Sequence, residues 1–163
     1  MPNDLRVFWH FFMLSETIKT LQQGSLMLSL PELQQHLSLH FPRAMQKFSL
    51  EAIQADCSIL KRHIQAEDLR PGATVSGPTL MQIADFAAYI GIIADQGIIE
   101  SAFTTNLNIN FLRRATADSA IIVQTRILKA GKNLATAEMS MYSEGSDALI
   151  AHAVATFALI RAE

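Results

Sequence analysis

Residues 76–91 read Ser-Gly-Pro-Thr-Leu-Met-Gln-Ile-Ala-Asp-Phe-Ala-Ala-Tyr-Ile-Gly, and they are the most informative segment of the sequence. Ser76 or Gly77 can cap a helix, and proline at position 78 suits its first turn. We expect one long helix from about Pro78 to Ala94. It is apolar nearly all round, which predicts that it is buried on most sides.

The sequence after this helix changes to a strand pattern. Turn-like segments at 129–133 and 143–147 are short enough for hairpins, which favour an antiparallel meander. Before the helix, residues 48–64 are partly alternating and 69–73 form a turn. The prediction is therefore an α+β architecture in which an antiparallel sheet wraps around one central helix. Its later strands are expected at 102–112, 120–128, 134–142 and 148–160.

Residues 1–28 differ from the rest and predict a helical extension, with the main domain at 29–163. The extension is either an added helix that packs on the domain or on a partner subunit, or the product of an upstream start codon. A second helical stretch begins at Pro31, with Leu33, Leu37 and Phe41 at helical spacing, and is expected to stop at Pro42.

Composition excludes several functional classes. A chain of 163 residues, half of them apolar, predicts one domain with a sizeable core. The net charge of −2 gives no overall electrostatic footprint for nucleic acid. The single cysteine, Cys57, rules out an intrachain disulfide and a CxxC metal site, and it is compatible with a cytoplasmic location. The five histidines share no metal-ligand spacing, and no unbroken apolar run is long enough for a bilayer, so we expect neither a metal nor a membrane partner.

Charge is locally uneven between residues 113 and 132. Asp118 is the one acidic residue in this interval. The basic residues of this interval form a basic strip, which predicts either a site for a small anionic ligand or an ordinary solvated face. Its basic members are Arg113, Arg114, Arg126, Lys129 and Lys132.

Asp85 stands in the middle of the apolar helix. A carboxylate buried there costs several kcal/mol (order of magnitude) unless something compensates for it. Asp85 either has a structural place, on a narrow exposed stripe with Gln82 or as a cap for a neighbouring strand, or faces a pocket as a nucleophile or general base.

The start of the helix offers a second chemical feature. The first backbone N–H groups of a helix lack intrahelical partners, and together with the helix dipole they can stabilise an oxyanion. Pro78 has no N–H, so Gly77 is the main donor. Gly77 and Asp85 are about 12 Å apart along one helix and cannot both touch one carbonyl carbon. If both are catalytic, Gly77 of one subunit must meet Asp85 of another, which requires at least a homodimer.

The sequence resembles the hotdog-fold acyl-CoA thioesterases from about Pro31 to the C-terminus. Within them it is most similar to the phenylacetate-pathway and 4-hydroxybenzoyl-CoA thioesterase group. The resemblance rests on Arg70 to Pro78 (RPGATVSGP), Ile83-Ala84-Asp85, Thr105 to Ala115 (TNLNINFLRRA) and Leu128 to Lys132 (LKAGK).

The resemblance implies roles for individual residues. Gly77 falls on the first glycine of the family's His-Gly-Gly motif and would be the oxyanion donor, and Asp85 falls on the acidic position as base or nucleophile. Thr104 would help to position water. The substrate would be an acyl-CoA, with no further cofactor. Substrate or CoA contacts are expected from Ser76, Asn106, Phe111, Arg113, Arg126, Lys129, Gly131 and Lys132.

Three positions depart from the family pattern. Ser76 replaces the motif histidine, Pro78 replaces its second glycine, and Arg70 stands where some members carry asparagine. The leading hypothesis is an acyl-CoA thioesterase that works as a homodimer or a dimer of dimers. The alternative is a hotdog protein that binds acyl-CoA without hydrolysing it. Pocket size would depend on side chains such as Met81, Tyr89, Phe103 and Phe111.

Overall fold

The computed structural model describes residues 28–54, 57–99 and 101–161. In chain order its helices are α1 (Leu30–His40), α2 (Pro42–Met45) and α3 (Gly77–Gln96). A 3₁₀ turn at Ala66–Asp68 precedes α3. The strands are β1 (Phe48–Ile53), β2 (Cys57–Arg62), β3 (Leu69–Arg70), β4 (Thr74–Val75), β5 (Ser101–Phe111), β6 (Ile121–Ala130), β7 (Leu134–Ser143) and β8 (Leu149–Ile160).

Helix α3 confirms the central prediction and is slightly longer than expected. Its N-cap is Ser76, whose Oγ accepts a hydrogen bond from Thr79 N–H at 3.2 Å. Its C-cap is Gly97, whose φ of 81° is a backbone conformation that glycine adopts readily and other residues rarely adopt. By length and composition alone, α3 could cross a membrane. In this fold it is the core helix, and 11 of its 20 residues are buried.

Six strands form one antiparallel sheet in the order β1-β2-β6-β7-β8-β5, and β3 and β4 form a separate small hairpin. The four late strands are all present, but the simple meander is wrong in one respect. β6, β7 and β8 are sequential neighbours, whereas β5 pairs with β8 and lies at the edge of the sheet. This placement matters because β5 carries Thr104 and Phe111.

The core lies between α3 and one face of the sheet. Alternate residues of β6, β7 and β8 are buried on this inner face, as the pleat requires. Helix and sheet approach very closely at Gly91, where an added Cβ would lie 2.8 Å from Thr125 Cγ2. Glycine at this position therefore lets α3 sit directly on β6.

The N-terminal predictions are settled only in part. Helix α1 starts one residue before Pro31 and buries Leu33 and Leu37, as expected. Helix α1 ends before Pro42, as expected, but no loop follows, because Pro42 begins the short helix α2. The helical stripe predicted within residues 1–28 lies outside the described residues, apart from Leu28, so the boundary at residue 29 stays a prediction.

Candidate active site

The structure brings Asp85 and Thr104 together. The Thr104 hydroxyl donates a hydrogen bond to Asp85 Oδ1, which links the middle of α3 to the edge strand β5. Thr104 reaches the helix because it is opposite Phe157 of β8, a buried inner-face residue. Directly opposed residues of an antiparallel pair point to the same face of the sheet. A carboxylate with a neighbouring hydroxyl is an arrangement that can hold and deprotonate water.

Asp85 is less buried than the apolar surroundings in sequence indicate. It is half-buried and lies on a stripe of α3 with the exposed residues Met81 and Gln82. This outcome matches the exposed-stripe alternative for the single chain. Helix α3 is therefore buried on most sides, as expected, with one uncovered stripe, and burial alone assigns no role to Asp85.

The first turn of α3 leaves one backbone donor free. Thr79 N–H is taken by the Ser76 side chain, and Leu80 N–H is bonded to Ser76 O at 3.1 Å. Pro78 has no N–H to give. Among the described residues none accepts a hydrogen bond from Gly77 N–H, so this group can bind an incoming oxygen.

Phe111 and Arg113 lie at this same end of α3. The Phe111 ring is 3.5 Å from the point where a Cβ on Gly77 would stand, and about half of the Phe111 side chain is exposed. Arg113, two residues further on, is held by its Nη1 on Leu149 O at 2.9 Å. The Phe111 ring therefore lies beside Gly77, and the substrate contacts expected of Phe111 and Arg113 stay predictions.

The predicted basic strip is not one patch. Arg113 lies at the N-terminal end of α3, whereas Lys129 and Lys132 lie at the far end of β6, a ten-residue strand about 30 Å long. Arg161 fixes this far end, because it donates to Lys132 O and to Gln96 Oε1, at the last residue of α3. Gly131 N–H closes the β6–β7 turn on Leu134 O at 2.8 Å.

Three predicted residues point away from Asp85. Asn106 is opposite Thr156 and Phe103 is opposite Ala158, which places both on the outer face of the sheet. Phe103 therefore does not line a pocket at Asp85 within one chain. Arg126 is also on the outer face, where its Nε donates to Glu138 Oε1 at 2.7 Å. Because Arg126 already has a carboxylate partner, it is less available to a phosphate than its sequence position indicates.

One polar pair beside Asp85 was not predicted. Tyr89, one helical turn after Asp85, has its hydroxyl 3.4 Å from Nε2 of His36 on α1. Burial raises the pKa of Tyr89. Burial, and then the nearby charge of His40, lower the pKa of His36. Sequence spacing gave no signal for this pair, because 53 residues separate its members.

Comparisons with known proteins agree with this fold. The family model described as "Thioesterase superfamily" matches residues 72–150. A crystal structure of a candidate thioesterase from Silicibacter sp. TM1040 is 31% identical, covers 85% of this chain and 96% of its own, and superposes with a TM-score of 0.78. The chain belongs to the thioesterase superfamily. The predicted superfamily and its hotdog fold are thus confirmed.

Two more distant structures share the thioesterase fold. One is the PaaI protein of the phenylacetic acid degradation operon of E. coli, with 14% identity, 78% and 90% coverage of the two chains and a TM-score of 0.69. The other is a hypothetical thioesterase from Streptococcus pneumoniae with coenzyme A, with 12% identity, 79% and 99% coverage and a TM-score of 0.68. At these identities the likeness concerns the fold. Among curated proteins, no sequence matches the chain.

Proposed function

We propose that this thioesterase-superfamily protein hydrolyses an acyl-CoA to a free acid and CoA. The observation that carries the proposal is the hydrogen bond from the Thr104 hydroxyl to Asp85. Asp85 lies on α3, the helix in whose first turn Gly77 N–H has no acceptor among the described residues. Its family membership supports thioester chemistry, and the S. pneumoniae relative with coenzyme A supports the ligand class. The single cysteine is compatible with a cytoplasmic reaction.

Each group has one task in the proposed reaction. Gly77 N–H donates to the thioester carbonyl oxygen and stabilises the negative charge that develops on it. Asp85 accepts a proton from a water molecule held by Thr104, and that water attacks the carbonyl carbon. The C–S bond then breaks, and the CoA thiolate receives the proton from Asp85. Direct attack by the Asp85 carboxylate on the same carbon is the competing route.

The reaction needs two subunits, because Gly77 and Asp85 are about 12 Å apart on one helix. The midpoint between residues 77 and 85 is Met81. Met81 is 40% exposed and lies on the uncovered stripe of α3. Two helices that cross antiparallel at Met81 would place Gly77 of each subunit beside Asp85 of the other. Strand β5, an 11-residue edge strand with mostly exposed residues, offers a second surface for the same dimer.

The same arrangement gives the basic residues a role. With the helices antiparallel, the Lys129–Lys132 turn of one subunit lies on the same side of the dyad as Gly77 and Arg113 of the other. A CoA whose thioester is at Gly77 would extend its phosphates toward these cations, which form charge-assisted hydrogen bonds with phosphate oxygens. We therefore keep Lys129 and Lys132 as phosphate contacts supplied by the second subunit, with Gly131 shaping their turn.

A cysteine at position 81 tests the dimer. In a Cys57→Ser background, Met81→Cys should form an intersubunit disulfide under mild oxidation. Helices that cross at 8–10 Å bring equivalent residues at the dyad within disulfide range. Non-reducing electrophoresis measures the cross-link. Leu39→Cys, at a 74% exposed position on α1, is the control and should stay monomeric on the gel. A dimer in sedimentation without a Met81→Cys cross-link would contradict this dyad.

A Gly77→Ala substitution tests the oxyanion site. The added methyl would meet the Phe111 ring at an ordinary 3.5 Å, and Gly77 does not have a left-handed φ, so the fold should be unaffected. The methyl would nevertheless crowd the approach of a carbonyl to the N–H. We expect kcat/KM for a panel of acyl-CoAs to fall roughly 10²-fold, as when an oxyanion donor is lost. Release of free CoA measures the rate.

The matched control is Gly91→Ala on the same helix. Its methyl would lie 2.8 Å from Thr125 Cγ2, so it should lower the melting temperature while leaving the first turn intact. Gly77→Ala should show the reverse pattern. Equal activity of Gly77→Ala and wild type would remove Gly77 from the mechanism. Intact ester recovered from the wild-type protein after long incubation would instead favour a non-catalytic acyl-CoA-binding protein.

A further inference from the structure

A buried ion pair lies directly behind the first turn of α3. Arg62, on the inner face of β2, is 1% exposed, and its Nη2 donates to both Asp68 carboxylate oxygens at 2.6 and 2.7 Å. Its Nη1 donates to His63 O at 2.7 Å, and its guanidinium lies 5.1 Å from the centre of the Phe48 ring. The side chains of both partners are therefore held rigidly in the core.

Asp68 transmits this rigidity to the helix through its backbone. Its carbonyl oxygen accepts hydrogen bonds from Ser76 N–H at 2.9 Å and from the Thr79 hydroxyl at 3.3 Å. The same hydroxyl is 2.8 Å from Ser76 Oγ. Ser76 and Thr79 flank Gly77 on both sides. The one peptide group proposed to bind the oxyanion is thus fixed by contacts that lead back to Arg62.

The Asp68 side chain also secures its own turn. Oδ2 accepts a hydrogen bond from Gln65 N–H at 2.8 Å, which closes the 3₁₀ turn at Ala66–Asp68. With both carboxylate oxygens occupied, the Asp68 peptide cannot rotate without breaking buried contacts. This network removes two charged groups from water, and Arg62 Nε has no hydrogen-bond partner among the described residues. Apolar residues of similar size would often be as stable, so stability alone is a weak reason for the pair.

We propose that the Arg62–Asp68 pair is a positioning element that fixes the direction of Gly77 N–H, with the Thr79 hydroxyl as the link. The inference rests on the proposed thioesterase function and adds residues that do not touch the substrate. A donor that must point at a developing oxyanion loses much of its effect when it moves by about 1 Å, and such a displacement can cost 10²-fold in rate. The pair therefore acts on kcat rather than on substrate affinity.

Thr79 allows a test with little steric disturbance. Thr79→Val keeps the shape of the side chain and removes the hydroxyl, whereas Thr79→Ser keeps the hydroxyl. We expect Thr79→Val to lower kcat roughly tenfold with KM changed by less than about twofold, and Thr79→Ser to restore kcat. Ile93→Val, a fully buried change near the other end of α3, is the stability control. It should lower the melting temperature with kcat unchanged.

A second readout does not depend on hydrolysis. The NMR order parameter of the Gly77 N–H vector should fall from about 0.85 to below 0.6 in Thr79→Val, and should stay at the wild-type value in Thr79→Ser and Ile93→Val. If wild type hydrolyses no ester but the order parameter falls as stated, the proposed function fails and the positioning inference stands. If Thr79→Val matches Ile93→Val in kcat and in the order parameter of Gly77, the positioning inference is overturned.

Discussion

Replacing Asp85 with alanine should lower kcat for acyl-CoA hydrolysis by roughly 10²- to 10⁴-fold, the range expected for loss of a general base. The fold should survive, because Asp85 is half-buried and its hydrogen bond to Thr104 is at an exposed position. Release of CoA thiol in steady state gives kcat and KM, and a thermal melt at the same protein concentration reports on the fold.

Asp95→Ala is the matched control for this prediction. It removes a carboxylate from the same helix, ten residues further on, where Asp95 accepts a hydrogen bond from the Gln96 side chain at 2.7 Å. Its rate should equal that of wild type. Thr104→Val should give an intermediate loss, since it removes the hydroxyl and keeps the carboxylate. If Asp85→Ala and Asp95→Ala turn over the ester equally fast, Asp85 is not the base.

The fold was largely predictable because its pattern is local. The Ser-Gly-Pro start and the apolar run after it predict α3, and the hairpin-length turns at 129–133 and 143–147 predict the three sequential strands β6, β7 and β8. The position of β5 was not predictable in this way. Its partner is β8, whose first residue, Leu149, lies 38 residues beyond the end of β5 at Phe111. No local pattern reports such a long-range pairing.

The site was predictable to a smaller extent. Thr104 and Asn106 are two residues apart and would share a face of a regular strand. A β-bulge between them shifts the register, so Thr104 faces α3 and Asn106 faces outward. The sequence gives no sign of this bulge. The partner of Arg126, Glu138, was missed for a similar reason, because cross-strand register depends on the whole β6–β7 hairpin.

Arg62 has the largest expected effect on stability. Arg62→Met should lower the free energy of unfolding by about 3–5 kcal/mol, because it leaves the Asp68 carboxylate buried without its partner. That loss is a large part of the total stability of a typical domain, about 5–15 kcal/mol. Urea unfolding at a fixed protein concentration measures the change, since a dimer would make the midpoint depend on concentration.

A second substitution should recover most of this loss. Arg62→Met with Asp68→Asn leaves no buried charge unpaired, and the asparagine oxygen can still accept from Gln65 N–H. The double variant should therefore be more stable than Arg62→Met alone, whereas two independent destabilising substitutions would add their losses.

Lys47→Met is the control. It breaks the exposed Lys47–Glu67 pair at 2.6 Å, and such surface pairs contribute about 0–1 kcal/mol. Equal losses in Lys47→Met and Arg62→Met would show that burial does not set the cost of this pair. If instead the double variant is stable but its kcat is still low, the pair contributes to the first turn of α3 independently of its contribution to stability.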